Sequence, residues 1–95
     1  MHVITRKALR TLADEHPDAR APLDTWYKLM KNGKFGSFAD LRQTFGSVDK
    51  VGNLYVFDIG GNKYRVIAAV HFNRGKVFIR GAMTHVEYDQ ERWKP

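Results

Sequence analysis

The chain contains no cysteine, and this absence excludes several kinds of chemistry. Disulfide bonds, thiolate zinc sites and thiol nucleophiles cannot form without it. A cysteine-free composition also agrees with a reducing compartment. The fold must therefore be held by packing, and 95 residues with 43% hydrophobic residues are enough for one modest core. We expect residues 1–95 to form a single domain.

Long hydrophobic runs and linkers are also missing from the sequence. No segment approaches the roughly 18 consecutive apolar residues of a membrane helix, and the start, Met1–Arg6, lacks the apolar run of a secretion signal. There is no internal repeat and no stretch rich in proline, glycine and serine that would separate two domains. We therefore expect a cytoplasmic protein that does not contact a membrane.

Acidic side chains are fewer than basic ones, with 10 Asp and Glu against 16 Lys and Arg, which gives a net charge of +6. A field of this sign favours a polyanionic or acidic partner. An ordinary solvated basic surface explains the same numbers, so charge alone does not show whether the protein has such a partner. The four histidines show no metal-ligand spacing. We expect no metal and no cofactor.

Apolar residues recur at helical spacing in the first half of the chain. Val3 and Ile4 can form a short first strand. Thr5 is then a suitable N-cap for the first helix, and Pro17 ends it. Ser37, with Asp40 three residues later, resembles a capping box for a short third helix. The helices predicted in this way span 5–15, 18 or 22 to 32, and 37–46. The first two are expected to form a helical hairpin.

The second half predicts antiparallel strands, because two hairpin signals separate apolar runs. A first turn at Gly60–Gly61 places these side chains on one apolar face: Tyr55, Phe57, Ile59, Tyr64 and Val66. An even loop at Arg74–Gly75 gathers one wholly apolar face, which is formed by Val66, Ala68, Val70, Phe72, Val77, Ile79 and Met83. Arg65 and Arg80 then share the other face, opposite Thr84 and Ala69 respectively. The expected fold is α+β, with an antiparallel sheet of three or four strands. The helical hairpin covers one face, and the second face is basic and open.

That second face carries the candidate site. A guanidinium presents a planar fork to phosphate oxygens, so Arg65 and Arg80 can brace a phosphodiester. His85 and Tyr88 follow the last strand and can exchange protons. The alternative is structural: solvated arginines or partners for acidic neighbours such as Asp58, and a strand-terminal histidine that binds backbone.

Three segments carry a resemblance to a known family: Tyr55–Ala68, Phe78–Arg80 and Met83–Asp89. Together with the opening Met1–Leu9, they resemble the HigB-type toxins of bacterial type II toxin-antitoxin systems, within the RelE-like mRNA interferases. The similarity extends over nearly the whole chain. It implies a RelE-like fold and a metal-independent endoribonuclease that cleaves translated mRNA in the ribosomal A site.

The resemblance also implies partners and residue roles. A cognate antitoxin, HigA-like with a helix-turn-helix, would neutralise the toxin and contact operator DNA. Arg65 and Arg80 would neutralise charge on the phosphate, while His85 and Tyr88 would carry the proton steps, with base and acid unassigned. Several RelE-like nucleases lack a catalytic histidine, so the family does not fix the role of that residue. In supporting roles, Asp89 would be an orienting carboxylate, and Lys63 and Lys94 would contact the RNA backbone.

Two other function classes use the same basic face. One is a noncatalytic RNA-binding module, which would bind RNA without producing cyclic phosphates. The other is an interaction subunit that accommodates an acidic segment of an antitoxin. A ribonuclease toxin needs both properties as well, so the residues alone do not separate these classes.

Overall fold

A computed structural model of the protein describes residues 1–91 and 93. The helices are α1 (Lys7–Glu15), α2 (Arg20–Asn32), α3 (Phe38–Thr44) and α4 (His85–Asp89), with a 3-10 turn at Pro17–Ala19. The strands are β1 (His2–Ile4), β2 (Asp49–Val51), β3 (Leu54–Ile59), β4 (Tyr64–His71) and β5 (Lys76–Thr84). Within this part of the chain, no helix is both long and apolar enough to cross a membrane.

All five strands belong to one mixed sheet with the order β1-β5-β4-β3-β2. Strand β1 runs parallel to β5, and the other neighbours are antiparallel. The α+β class is confirmed, but the prediction of three or four antiparallel strands is wrong in number and in the direction of one edge. The physical reason is length. The strand predicted at Val3 and Ile4 is present as β1, but β2 has only three residues, which is too short for alternation to reveal it.

The core lies between the helices and one face of the sheet. Leu9 and Leu12 of α1 pack with Leu23, Trp26 and Met30 of α2 in the same buried cluster as the sheet residues. In the first hairpin, side-chain alternation predicts one apolar face formed by the residues at 55, 57, 59, 64 and 66. All five lie in this buried cluster. Burial of this continuous apolar area is the main stabilising term of such a fold.

The helix starts agree with the sequence in one case and differ in another. The Oγ of Ser37 accepts a hydrogen bond from the Asp40 amide at 3.2 Å, as the capping signal predicts. Thr5, in contrast, is not an N-cap. Its φ of 64° lies in the left-handed region, and its hydroxyl donates to the carbonyl oxygens of Ile4 and Ile79. The chain therefore turns at Thr5, and α1 begins after Arg6.

The second hairpin contains a β-bulge that the predicted register lacks. The two-residue loop predicted at Arg74–Gly75 is wrong in length: His71, and not Asn73, pairs with Lys76, so the loop spans 72–75. Four residues are also an even number, so the side chains near the turn keep their predicted faces. Farther along, Ala68 pairs with Ile79, whereas Ile67 pairs with Gly81. Arg80 is consequently the extra residue of the bulge.

The bulge shifts the pairing of every residue that follows it. Ala82 now pairs with Val66, and Met83 pairs with Arg65. The predicted position of Met83 on the core face is therefore wrong. The predicted pairing of Arg80 with Ala69 is wrong because the loop is longer, since Ala69 pairs with Phe78 before the bulge, and the loop and the bulge together replace the predicted pairing of Arg65 with Thr84. A glycine inside an apolar strand, at position 81, is the sequence feature that accompanies such bulges.

Candidate functional site

Arg65 lies on β4 with only 13% of its side chain exposed. Its Nε is 3.0 Å from Oδ1 of Asp58, and its terminal nitrogens donate to the carbonyl oxygens of Asn62 and Tyr64 and to Oδ1 of Asn62, at 2.9–3.1 Å. The guanidinium carbon lies 5.5 Å from the centre of the Tyr88 ring. Protein groups therefore already bind this guanidinium, which agrees with the alternative in which Arg65 is a partner of an acidic neighbour such as Asp58.

Arg80 has a different environment. It is exposed, and among residues 1–91 and 93 it makes no hydrogen bond or ion pair. In the bulge, Arg80 and Gly81 together oppose Ile67, which lies on the same face as Arg65 two residues along β4, so Arg80 is on the side of the sheet that carries Arg65. The shared face predicted from hairpin parity is therefore present, with one arginine held by protein groups and one directed to solvent.

Helix α4 begins at His85 with Thr84 as its N-cap, and no helix was predicted in this segment. The Thr84 hydroxyl accepts from the Glu87 amide at 3.2 Å, and Glu87 Oε1 accepts from the Thr84 amide at 3.1 Å. This reciprocal pair is a capping box, and its Thr-x-x-Glu signal is visible in the sequence. His85 is therefore the first residue of a helix. Its amide donates to the carbonyl of Lys63 at 2.9 Å, which ties α4 to the β3–β4 loop.

His85, Tyr88 and Asp89 lie on one side of α4, because residues three and four apart are neighbours on a helix. His85 and Asp89 are exposed, whereas Tyr88 is half-buried. The Tyr88 ring stacks on Trp93 with centroids 4.8 Å apart, and Trp93 Nε1 donates to the Tyr88 carbonyl at 2.9 Å. Within the described chain, Asp89 makes no hydrogen bond or ion pair with His85 or an arginine.

The face that carries both arginines is less open than predicted. Ile67 and Ala69 are buried there, at 1% and 7% exposure. Larger neighbours on the same face account for this, since Phe78 packs edge-on against His71 and the Met83 side chain lies over Gly81. The middle of this face is therefore closed, and exposed polar groups lie at its two ends, with His71 and Lys76 at the loop end.

Of the two lysines predicted as RNA contacts, only Lys63 lies among the described residues. Lys63 is exposed in the β3–β4 loop, with its Nζ 3.6 Å from Oδ2 of Asp18. Lys94 lies outside the described residues. In the part of the chain that the structure covers, no three His, Cys, Asp or Glu side chains are grouped so that they could hold a metal ion.

A buried tyrosine anchors the start of β4 beside this site. The Tyr64 hydroxyl donates to Oδ1 of Asp18 at 2.6 Å, which joins the 3-10 turn to the sheet. This hydrogen bond lowers the pKa of the Asp18 carboxyl below 3.8 and raises the pKa of the Tyr64 phenol above 10.0. The bond needs an ionised carboxylate and a neutral phenol, so its contribution to stability depends on pH.

We expect the stability that Tyr64 adds over a Tyr64→Phe variant to be constant near neutral pH and to fall at both extremes. The carboxylate has a lowered pKa, so its contribution is present above 3.8 and is lost as the pH falls through the folded value. The phenol has a raised pKa, so its contribution is present below 10.0 and is lost as the pH rises through the folded value. Denaturant unfolding of both proteins across this range measures the difference.

Tyr55→Phe is the matched control, because Tyr55 is also a buried sheet tyrosine but its hydroxyl makes no hydrogen bond among the described residues. Its stability difference from the parent should not change with pH. A Tyr64→Phe difference that is equally flat would contradict the pH dependence derived from this bond.

Two residues outside the predicted site take part in its geometry. Asp58 and Asn62 supply three of the four oxygens that hold Arg65. Asp58 was predicted only as a possible ion-pair partner, and no role was predicted for Asn62. The two adjacent glycines before Asn62 are the available signal, since they mark a tight turn that can direct the next residue back toward the sheet.

Comparison with known proteins gives a consistent result. A family model described as a RelE-like toxic component of a toxin-antitoxin system matches residues 19–91. The mRNA interferase toxin HigB of Escherichia coli (strain K12) is 40% identical over 92 residues, covering 94% of this chain and 88% of the relative. The mRNA interferase HigB of Shigella flexneri gives the same values. The mRNA interferase HigB of Escherichia coli O6:H1 is 30% identical over 95% of this chain and 90% of its own length.

Proposed function

The chain belongs to the HigB toxin family, the RelE-like toxic components of toxin-antitoxin systems, and we propose that it is an mRNA interferase that cleaves translated mRNA at the ribosome. The observation that carries the proposal is the exposed Arg80, which shares a sheet face with Arg65 beside the exposed His85 of α4. The fold proposed with this function is RelE-like, with α1 and α2 as a helical hairpin on the opposite face.

The proposed reaction is an internal transesterification of RNA. A ribose 2′-hydroxyl attacks the adjacent phosphorus while the bond from phosphorus to the 5′-oxygen breaks, which leaves a 2′,3′-cyclic phosphate and a 5′-hydroxyl. One proton leaves the nucleophile and one reaches the leaving oxygen, so the step is balanced without water or metal. The protein has to move these protons and stabilise the charge on the phosphorane.

The residues of the site match these tasks. Arg80 has no protein partner among the described residues, so its guanidinium is available for the phosphate oxygens. His85 presents an exposed imidazole, a side chain that can act as a general acid or base. Tyr88 supplies the second proton-carrying group, and Arg65 adds positive charge beside it. We leave the order of base and acid between His85 and Tyr88 open, and Asp89 is assigned an orienting role only after RNA binds.

Proposed partners follow from the family and the charge. The toxin acts on mRNA in the ribosomal A site in the cytoplasm, where a net charge of +6 favours encounter with RNA. Lys63 and Lys94 are proposed to contact the RNA backbone. A HigA-like antitoxin with a helix-turn-helix is proposed to neutralise the toxin, and operator DNA is contacted only through that antitoxin.

Cleavage in a reconstituted translation reaction tests the proposal. We expect an actively translated message to be cut and the same RNA without ribosomes to be cut far more slowly, because the ribosome aligns the 2′-hydroxyl with the phosphate. Addition of the antitoxin should stop the cleavage. Equal cutting of free and translated RNA would contradict ribosome dependence, and binding without any cutting would favour the noncatalytic RNA-binding module instead.

A further inference from the structure

The turn between β3 and β4 is shaped so that it holds a guanidinium. Gly60 and Gly61 both adopt positive φ values, of 63° and 70°, a conformation that costs glycine little. The turn brings Asn62 back toward β4, where its backbone carbonyl and its side-chain Oδ1 both accept from Arg65, at 3.1 and 2.9 Å. One residue of the turn therefore binds both terminal nitrogens of the guanidinium.

Asp58 completes this arrangement from the neighbouring strand. It pairs directly with Arg65 across β3 and β4, and its Oδ1 lies 3.0 Å from Nε. The two side chains are only 31% and 13% exposed, so this contact is screened less than a surface ion pair. The remaining terminal N–H contact goes to the carbonyl of Tyr64 at 3.1 Å. The orientation of the guanidinium plane is thereby fixed.

The same turn and the same guanidinium hold helix α4. The backbone carbonyl of Lys63, the residue after Asn62, accepts a hydrogen bond from the His85 amide. The guanidinium of Arg65 lies against the ring of Tyr88. A helix of five residues has too few internal hydrogen bonds to be stable alone. Its placement relative to the sheet therefore depends on such contacts, which join it at its first residue and again one turn later.

We propose that Asp58 and Asn62 are positioning residues for the reaction: they fix the guanidinium of Arg65 against Tyr88, and so set the position of α4 and of His85 relative to Arg80. Arg65 is then a support for α4, and the phosphate is bound by Arg80. This inference rests on the proposed ribonuclease function for its activity measurement. It also predicts a structural effect that does not depend on any activity.

The alternative is that Arg65 binds the phosphate directly and Asp58 competes for it. The two cases predict opposite results for Asp58→Ala. If Arg65 clamps the phosphate, removal of the carboxylate frees the guanidinium, and cleavage stays equal or becomes faster. If Arg65 supports α4, removal of the carboxylate loosens the helix, and we expect kcat to fall by about 10-fold or more, with KM changed by less than about 3-fold, because misplacement of reacting groups affects turnover.

Asp58→Asn is the conservative variant, because its amide oxygen can still accept from Nε of Arg65. We expect it to retain kcat within about 3-fold of the parent, since the geometry of the guanidinium survives. Asp49→Ala is the matched control, since it removes the same charge from an exposed position on β2 of the same sheet. It should leave kcat and KM unchanged. Loss of activity in Asp49→Ala equal to that in Asp58→Ala would overturn the proposal.

Hydrogen exchange of the His85 amide gives the readout that is independent of activity. This amide bonds to Lys63 in the parent, and we expect faster exchange in Asp58→Ala but not in Asp58→Asn or Asp49→Ala. Asn62→Ala, which removes one oxygen and keeps the backbone contact, provides the same test if Asp58→Ala does not fold. If the His85 amide exchanges at the parental rate in a folded Asp58→Ala protein, or in Asn62→Ala where Asp58→Ala does not fold, the positioning role is overturned. Faster exchange in a protein that cleaves no RNA would support the positioning and contradict the ribonuclease proposal.

Discussion

Replacement of Arg80 by alanine is expected to slow cleavage of a translated message by about two orders of magnitude or more, because loss of one donor aimed at developing charge has effects of this size. Arg80 is exposed and lacks a protein partner within the described chain, so its removal should barely change folding. The measurement is the single-turnover cleavage rate in a translation reaction, together with the melting temperature.

Arg74→Ala is the control for this variant, because Arg74 is an exposed arginine in the loop of the same hairpin and carries the same charge. It should cut at nearly the parental rate. Arg80→Lys should recover only part of the activity, since an ammonium supplies charge without the planar fork. An equal loss in Arg74→Ala and Arg80→Ala would show that net charge, and not the position of Arg80, sets the rate.

Replacement of His85 by alanine is expected to reduce the cleavage rate by about 10²- to 10⁴-fold, the usual contribution of a positioned general acid or base. The pH–rate profile should also lose one of its two limbs, because one of the two proton-transferring groups is gone. The capping box of α4 uses Thr84 and Glu87, so the helix should persist in the variant. Cleavage rates measured over a range of pH, with α4 checked by amide exchange, test this expectation.

His71→Ala is the matched control for the histidine. His71 is exposed on the same sheet face but pairs with Lys76 at the loop end of the hairpin, away from α4. Its replacement should leave both the rate and the shape of the profile unchanged. A His85→Ala protein that keeps the parental rate would assign both proton steps to other groups.

The sequence predicted the core face of the sheet, because side-chain parity is a local property of each hairpin. Tyr55, Phe57 and Ile59 had to share a face whatever their neighbours were, and they lie in the core with Tyr64 and Val66. The same parity places both arginines on one face. Strand alternation cannot predict where a strand carries an extra residue. Arg80 is such an extra residue, in the β-bulge.

Other features of the site depend on partners that are distant in the sequence or on short elements. The edge strand β2 has too few residues for a periodic signal. The short strand β1 was predicted at Val3 and Ile4, but its parallel direction follows from its long-range pairing with β5. The start of α4 could have been predicted, since Thr84 and Glu87 have capping-box spacing. The burial of Arg65 could not, because it needs the Gly60–Gly61 turn, Asn62 and the cross-strand Asp58 together.

The chemistry of the RNA ends tests the central claim most directly. Ends should be mapped across translated messages after induction of the parent and of the Arg80→Ala and His85→Ala variants. The proposed mechanism predicts new 5′-hydroxyl ends and matching 2′,3′-cyclic phosphates within translated regions for the parent, and strongly reduced ends for both variants. New ends that carry 5′-phosphates, or ends that persist undiminished in both variants, would contradict it.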